Sequence, residues 1–141
     1  MRLGRLLLYA VLLICGAAIG VLGSWYVEER AAEEVARASL AAANECLRKT
    51  DLVCAMTHAQ SAISKVPKAY EGYEAVGDVY ASMKLQPAAR RMYELAMERL
   101  RQSGQDATLV TKGTASVDNL LQLLQRKLDA LPSNSKQELG R

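Results

Sequence analysis

Tyr70–Ser103 reads YEGYEAVGDVYASMKLQPAARRMYELAMERLRQS, and the spacing of its apolar residues decides the fold. Tyr73, Val76 and Tyr80 recur at three and four residues, as do Tyr93, Ala96 and Leu100. Side chains at that spacing share one face of an α-helix, whereas a strand would alternate them between two faces. Two helices are predicted, with the second beginning near Leu85-Gln86-Pro87. A proline is tolerated in a first helical turn because its missing N–H would be unpaired there anyway. The small residue Gly77 lets the facing helix come close where Ala89 and Ala96 present no bulk, and the tyrosines fill the remaining gaps.

A shift of 34 residues superposes Ala43 on Gly77, Ala55 on Ala89 and Ala62 on Ala96. This period, with Tyr73, Val76, Gly77, Tyr80, Ala89, Tyr93 and Ala96 at matching positions, resembles the tetratricopeptide repeat. The strong copy runs from Tyr70 to about Ser103. A weaker copy runs from about Ala36 to Ala69: Ala42, Ala43, Ala55, Ala62 and Pro67 fit, while Ser39, Cys46 and Ala59 stand where the family has large residues. Its smaller core predicts the less stable unit.

The resemblance implies an all-α stack of helical hairpins over residues 36–103, binding partners in a groove lined by the first helix of each pair. Carried over, the family's groove positions are Arg37, Leu40, Asn44, Leu47 and Arg48 in the first copy and Glu71, Glu74, Asp78, Ala81 and Ser82 in the second. Glu71, Glu74 and Asp78 make an acidic stripe. Some family members clamp acidic tails with a Lys and an Asn where this chain has Leu40 and Asp78, so an acidic tail is a poor match. A basic or amphipathic segment is better matched, with Leu40 and Leu47 giving apolar contact. The competing reading of the stripe is a solvated charged face.

After this unit, residues 104–116 are turn-rich and weakly patterned. Val117, Leu120, Leu121, Leu124, Leu128 and Leu131 then form one apolar side of a helix over 117–131, with Ser116 as N-cap and Pro132 as its stop. Such a helix is expected to cover the open end of the stack. Residues 132–141 are polar and expected to be disordered.

Ahead of the repeats, Leu6–Val27 carries no charge over about 22 residues, long enough as a helix to span the ~30 Å hydrocarbon layer. Arg2 and Arg5 precede it and Glu28 and Glu29 follow, which places residues 1–5 in the cytoplasm and the remainder outside. Trp25 and Tyr26 suit the headgroup boundary. Two processing routes compete with a retained anchor: signal-peptidase cleavage at the small pair Val21 and Gly23, and acylation of Cys15, which Ile14 disfavours. Gly16, Gly20 and Ser24 form a stripe of small side chains on which another helix, or a second copy, can pack closely. The plainer reading is that glycine is common in membrane helices. No Gly or Pro lies between Ser24 and Lys49, so residues 28–35 are expected to connect the anchor to the repeats as helix, without a flexible tether.

The chain has 141 residues, 50% of them hydrophobic, and a formal net charge of +3, of which Arg2 and Arg5 supply two units. The nearly neutral remainder lacks the basic footprint of a nucleic-acid binder. One His and three Cys with no C-x-x-C leave too few ligands for a structural zinc site, and no phosphate-binding glycine motif is present. No metal, cofactor or catalytic residue is expected, and an enzyme is the least favoured reading. Cys46 and Cys54 flank the turn of the first hairpin, where antiparallel packing permits a disulfide; the alternative is two small buried thiols. His58 has no second base beside it, so a surface or core role is expected.

Together these readings predict a single-pass protein of a bacterial inner membrane, with its N-terminus cytoplasmic and its repeats periplasmic. It would act as a scaffold, accessory subunit or assembly factor for a membrane complex. The alternatives are a receptor for targeting or export peptides and a secreted adaptor.

Overall fold

The 3.6-residue spacing is realised throughout the described part of the chain. A computed structural model describes residues 28–104, 108–109 and 115–132, and all regular structure among them is helical, with no strand. The predicted span 6–27, with Cys15, Gly16, Gly20 and Ser24, lies outside the described residues, as does most of the predicted tail. Among the described residues no helix is long and apolar enough to cross a membrane.

Two compact units divide the chain, residues 1–32 and 33–141. In the first, residues 28–32 are helical. In the second, α1 covers residues 33–48, followed by α2 (Leu52–Lys65), α3 (Tyr70–Ser82), α4 (Gln86–Ser103) and α5 (Val117–Ala130). Packing follows chain order, α2 on α3, α3 on α4 and α4 on α5; short connections between antiparallel helices impose this on the first two pairs, whereas α4 and α5 are joined by the longer segment 104–116.

Two of the turns are the same device used twice. At the end of α1 the Asp51 N–H donates to the Cys46 carbonyl at 2.9 Å and the Thr50 N–H to Leu47 at 3.0 Å. At the end of α3 the Leu85 N–H donates to Tyr80 at 2.9 Å and the Lys84 N–H to Ala81 at 2.9 Å. This nested pair is the Schellman motif, which needs a left-handed residue at its apex. Thr50 (φ 58°) and Lys84 (φ 60°) occupy it, 34 residues apart, although neither is glycine. The next helix then starts in each case: Asp51 caps α2 by accepting from the Cys54 N–H at 3.0 Å, and Pro87 sits in the first turn of α4. Ser116 caps α5 by accepting from the Asn119 N–H.

Packing repeats at the same interval. Ala43, Ala55 and Ala62 are inaccessible or nearly so, and so are their counterparts 34 residues on, Gly77, Ala89 and Ala96. A Cβ at Gly77 would meet the Tyr93 ring at 2.5 Å, so the absence of a side chain there lets α3 and α4 close up. The two copies differ in what fills the space between backbones. Tyr70 and Tyr93 are in the core of the second copy, while their 34-residue counterparts Ala36 and Ala59 are in the core of the first. Beyond α4, Leu120, Leu124 and Leu128 of α5 and the following Leu131 close the second core. Each buried leucine contributes roughly 1.5–3 kcal/mol of transfer free energy.

Candidate interaction groove

The small residues of the first copy leave room that the chain itself fills. Leu109, from the segment between α4 and α5, is 3% exposed and packs in the core of Ala36, Leu40, Ala43, Ala59, Ala62, Val66, Ala69, Ala75 and Val76. Its main chain is held at both ends. The N–H donates to a carboxylate oxygen of Glu71 on α3, and the carbonyl accepts from Arg37 Nε on α1 at 2.9 Å. A buried amide and carbonyl must find partners or cost about 1–3 kcal/mol each, and here two side chains facing each other across α1 and α3 supply them.

One turn further along α3 the chain again answers its own charge. Lys127 of α5 reaches Glu74 at 2.8 Å and both oxygens of Asp78 at 2.8 and 2.7 Å. The Tyr93 hydroxyl donates to Asp78 at 2.7 Å, and the Lys127 ammonium lies 5.8 Å from the Tyr93 ring centre, within cation–π range. Burial, then the hydrogen bond to Asp78, push the Tyr93 hydroxyl well above its ordinary value of 10.0. For Lys127, burial opposes the charge, but Glu74 and then Asp78 outweigh it, and the net shift is upward. The cluster is thus a tie between α3, α4 and α5 in which Tyr93 stays a neutral donor and Lys127 a cation.

The sequence-predicted groove residues divide accordingly. Arg37 and Glu71 grip Leu109, and Arg37 also pairs with Glu33 at 3.5 Å. Glu74 and Asp78 are taken by Lys127. Leu40 is 4% exposed and lies in the core beneath Leu109 instead of facing a partner. Asn44 and Arg48 are exposed and Leu47 half-buried, with Arg48 paired to Glu45. The acidic stripe is therefore neither a bare surface nor a solvated face, since internal partners occupy it. What sequence reasoning missed are Leu109 and Lys127, which stand 72 and 49 residues from Arg37 and Asp78. The one signal was the apolar pair Leu109-Val110 within a polar segment, too short to show any periodicity.

At the outer turn of the first hairpin, Cys46 and Cys54 are joined by a disulfide, with their Cα atoms 5.8 Å apart. His58 stands one helical turn after Cys54. Compared with known proteins, the chain matches no family model, no curated protein and no solved structure.

Proposed function

We propose that this chain is a membrane-anchored, tetratricopeptide-like interaction scaffold. It would serve a cell-envelope complex as an accessory subunit or assembly factor, with the repeats outside the cytoplasm and residues 6–27 as the anchor. The observation that carries this reading is the seating of Leu109. Between α1 and α3 there is a place that holds one residue's amide and carbonyl and buries its aliphatic side chain, the kind of contact by which a groove reads a peptide. Leu109 is its resident occupant. A partner segment offering an aliphatic residue and a free amide and carbonyl binds there by exchange, while Asn44, Leu47 and Arg48 form the open rim. The 34-residue recurrence of the left-handed turns and buried small residues supports the repeat assignment, and the uncharged run 6–27 supports the anchor. Joining the two raises the effective concentration of any partner in the same bilayer, so that weak contacts suffice.

A photo-cross-linking residue at Asn44 of the full chain in native membranes tests this, with Glu98 on α4 as the control position. The expected result is an adduct with an integral membrane protein from Asn44 only, lost when residues 1–27 are deleted. An adduct equally abundant from Glu98, or unaffected by the deletion, would contradict the proposal. A second reading, a receptor for targeting or export peptides, draws support from the same short seat. It differs in predicting that isolated amphipathic peptides bind the purified chain, whereas a scaffold requires the folded complex.

A further inference from the structure

The turn between α1 and α2 gathers three soft ligands that the groove does not use. Cys46 stands in the last turn of α1, Cys54 in the first turn of α2, and His58 four residues on, so that Cys54 and His58 share one face of the helix. The two sulfurs and an imidazole nitrogen all lie within 4.8 Å of one another, and all three residues are half-buried, open to solvent on one side. In a tetrahedral zinc site the metal sits about 2.3 Å from sulfur and about 2.0–2.1 Å from nitrogen, so ligand atoms stand roughly 3.5–3.8 Å apart. Small side-chain rotations bring the cluster to that spacing once the sulfurs are separate, and Cα atoms 5.8 Å apart leave room for the separation.

We propose that Cys46, Cys54 and His58, in the dithiol form of the chain, constitute a three-ligand site for a thiophilic dication of the zinc class, and that the disulfide and the metal-bound form exclude each other. A dithiol reductant opens the bond by exchange: its two thiols become a disulfide, and Cys46 and Cys54 take up the two electrons and two protons. The metal then forms two bonds to sulfur and one to imidazole nitrogen, displacing the two thiol protons to solvent. With three protein ligands the fourth tetrahedral position is left to water. A disulfide oxidant reverses the step by exchange: its own sulfur–sulfur bond breaks to two thiols, taking up the two electrons and two protons from solvent, while the Cys46–Cys54 bond forms and the ion, left with His58 alone, is released. The device lies at the rim beside Leu47 and Arg48, so the state of the sulfurs bears on that edge of the groove.

The test uses the purified full chain, reduced with dithiothreitol, desalted under argon and titrated with Co²⁺ alone. One equivalent is expected to bind with a thiolate-to-cobalt charge-transfer band, to be displaced by Zn²⁺, and to be released on reoxidation; the oxidised chain shows no band. Cys46→Ser abolishes the band. His58→Ala weakens binding by at least about tenfold, since even the outer-shell partners of a metal are worth that much, while the helical circular dichroism is retained. A reduced wild-type chain that binds no cobalt, with or without loss of helicity, would overturn the proposal. So would a His58→Ala chain with unchanged affinity.

Discussion

Gly77→Ala isolates the close approach on which the stack depends. In an isolated helix the change gains about 0.5–1 kcal/mol, because alanine loses less chain entropy than glycine. In this chain the added methyl meets Tyr93 Cε1 at 2.5 Å and Cδ1 at 2.7 Å. The ring has nowhere to go: it is 3% exposed, its hydroxyl is tied to Asp78, and Lys127 holds Asp78 from the other side. Overpacking of this kind costs about 1–3 kcal/mol, and breaking the hydroxyl's bond to Asp78 adds about 1 kcal/mol. The net expectation is a loss of roughly 1–3.5 kcal/mol, or a fall in Tm on the order of 5–25 °C for a domain of this size. Thermal unfolding of the full chain followed by circular dichroism measures it. Placed on a Tyr93→Leu background, the same substitution should become neutral or stabilising, because the obstructing ring is gone. An unchanged or higher Tm for the single variant, or an equal loss on both backgrounds, would refute the argument.

Lys127→Met leaves Glu74 and Asp78 without their cation and is expected to cost about 1–3 kcal/mol in denaturant melts, the range for a polar group losing its partner. Alkaline pH acts on the same tie. The folded chain holds the Tyr93 and Lys127 protons more tightly than the unfolded chain, in which they titrate at 10.0 and 10.5. The tie's contribution is therefore complete below about pH 10 and is lost as pH rises further, with a shallower decline in Lys127→Met; a pH series of urea midpoints checks both. Leu109→Ala should destabilise the chain by about 2–3 kcal/mol, the low end for a buried leucine because a connecting segment relaxes more easily than a helix. The same variant should raise the yield of the Asn44 cross-link, because the resident occupant grips less. Removing the disulfide by Cys46→Ser with Cys54→Ser should lower stability by roughly 2.5 kcal/mol, the loop-closure value for so short a ring. Unequal urea midpoints between oxidised and reduced wild type provide the check.

The all-helical class was legible because it rests on local spacing. Tyr73, Val76 and Tyr80 cannot all share a face of a strand, and that information lies within about two helical turns of chain. The candidate groove was less legible. The family resemblance pointed to Arg37, Glu71, Glu74 and Asp78, of which the structure sets the first two against Leu109 and the last two against Lys127. What fills it depends on Leu109 and Lys127, which arrive from distant segments and fit because of the space and charge they find, quantities that no window of sequence contains. Leu40 illustrates the same limit. Its position in the repeat suggested a surface contact, but the alanine-rich first copy draws it inward beneath Leu109. The turn residues Thr50 and Lys84 were equally hidden, since the left-handed apex of such a turn ordinarily signals itself by a glycine.

Amide hydrogen exchange of Leu109 in the purified full chain probes the central claim most directly, because that N–H is buried only if the seat between α1 and α3 exists and is filled. The account predicts exchange slowed on the order of a hundredfold relative to an unstructured peptide, an opening free energy of about 2.7 kcal/mol. Glu71→Ala and Arg37→Ala should each restore much of the free rate without melting α3 and α4. Exchange of Leu109 at the unstructured rate in the wild-type chain would contradict the account.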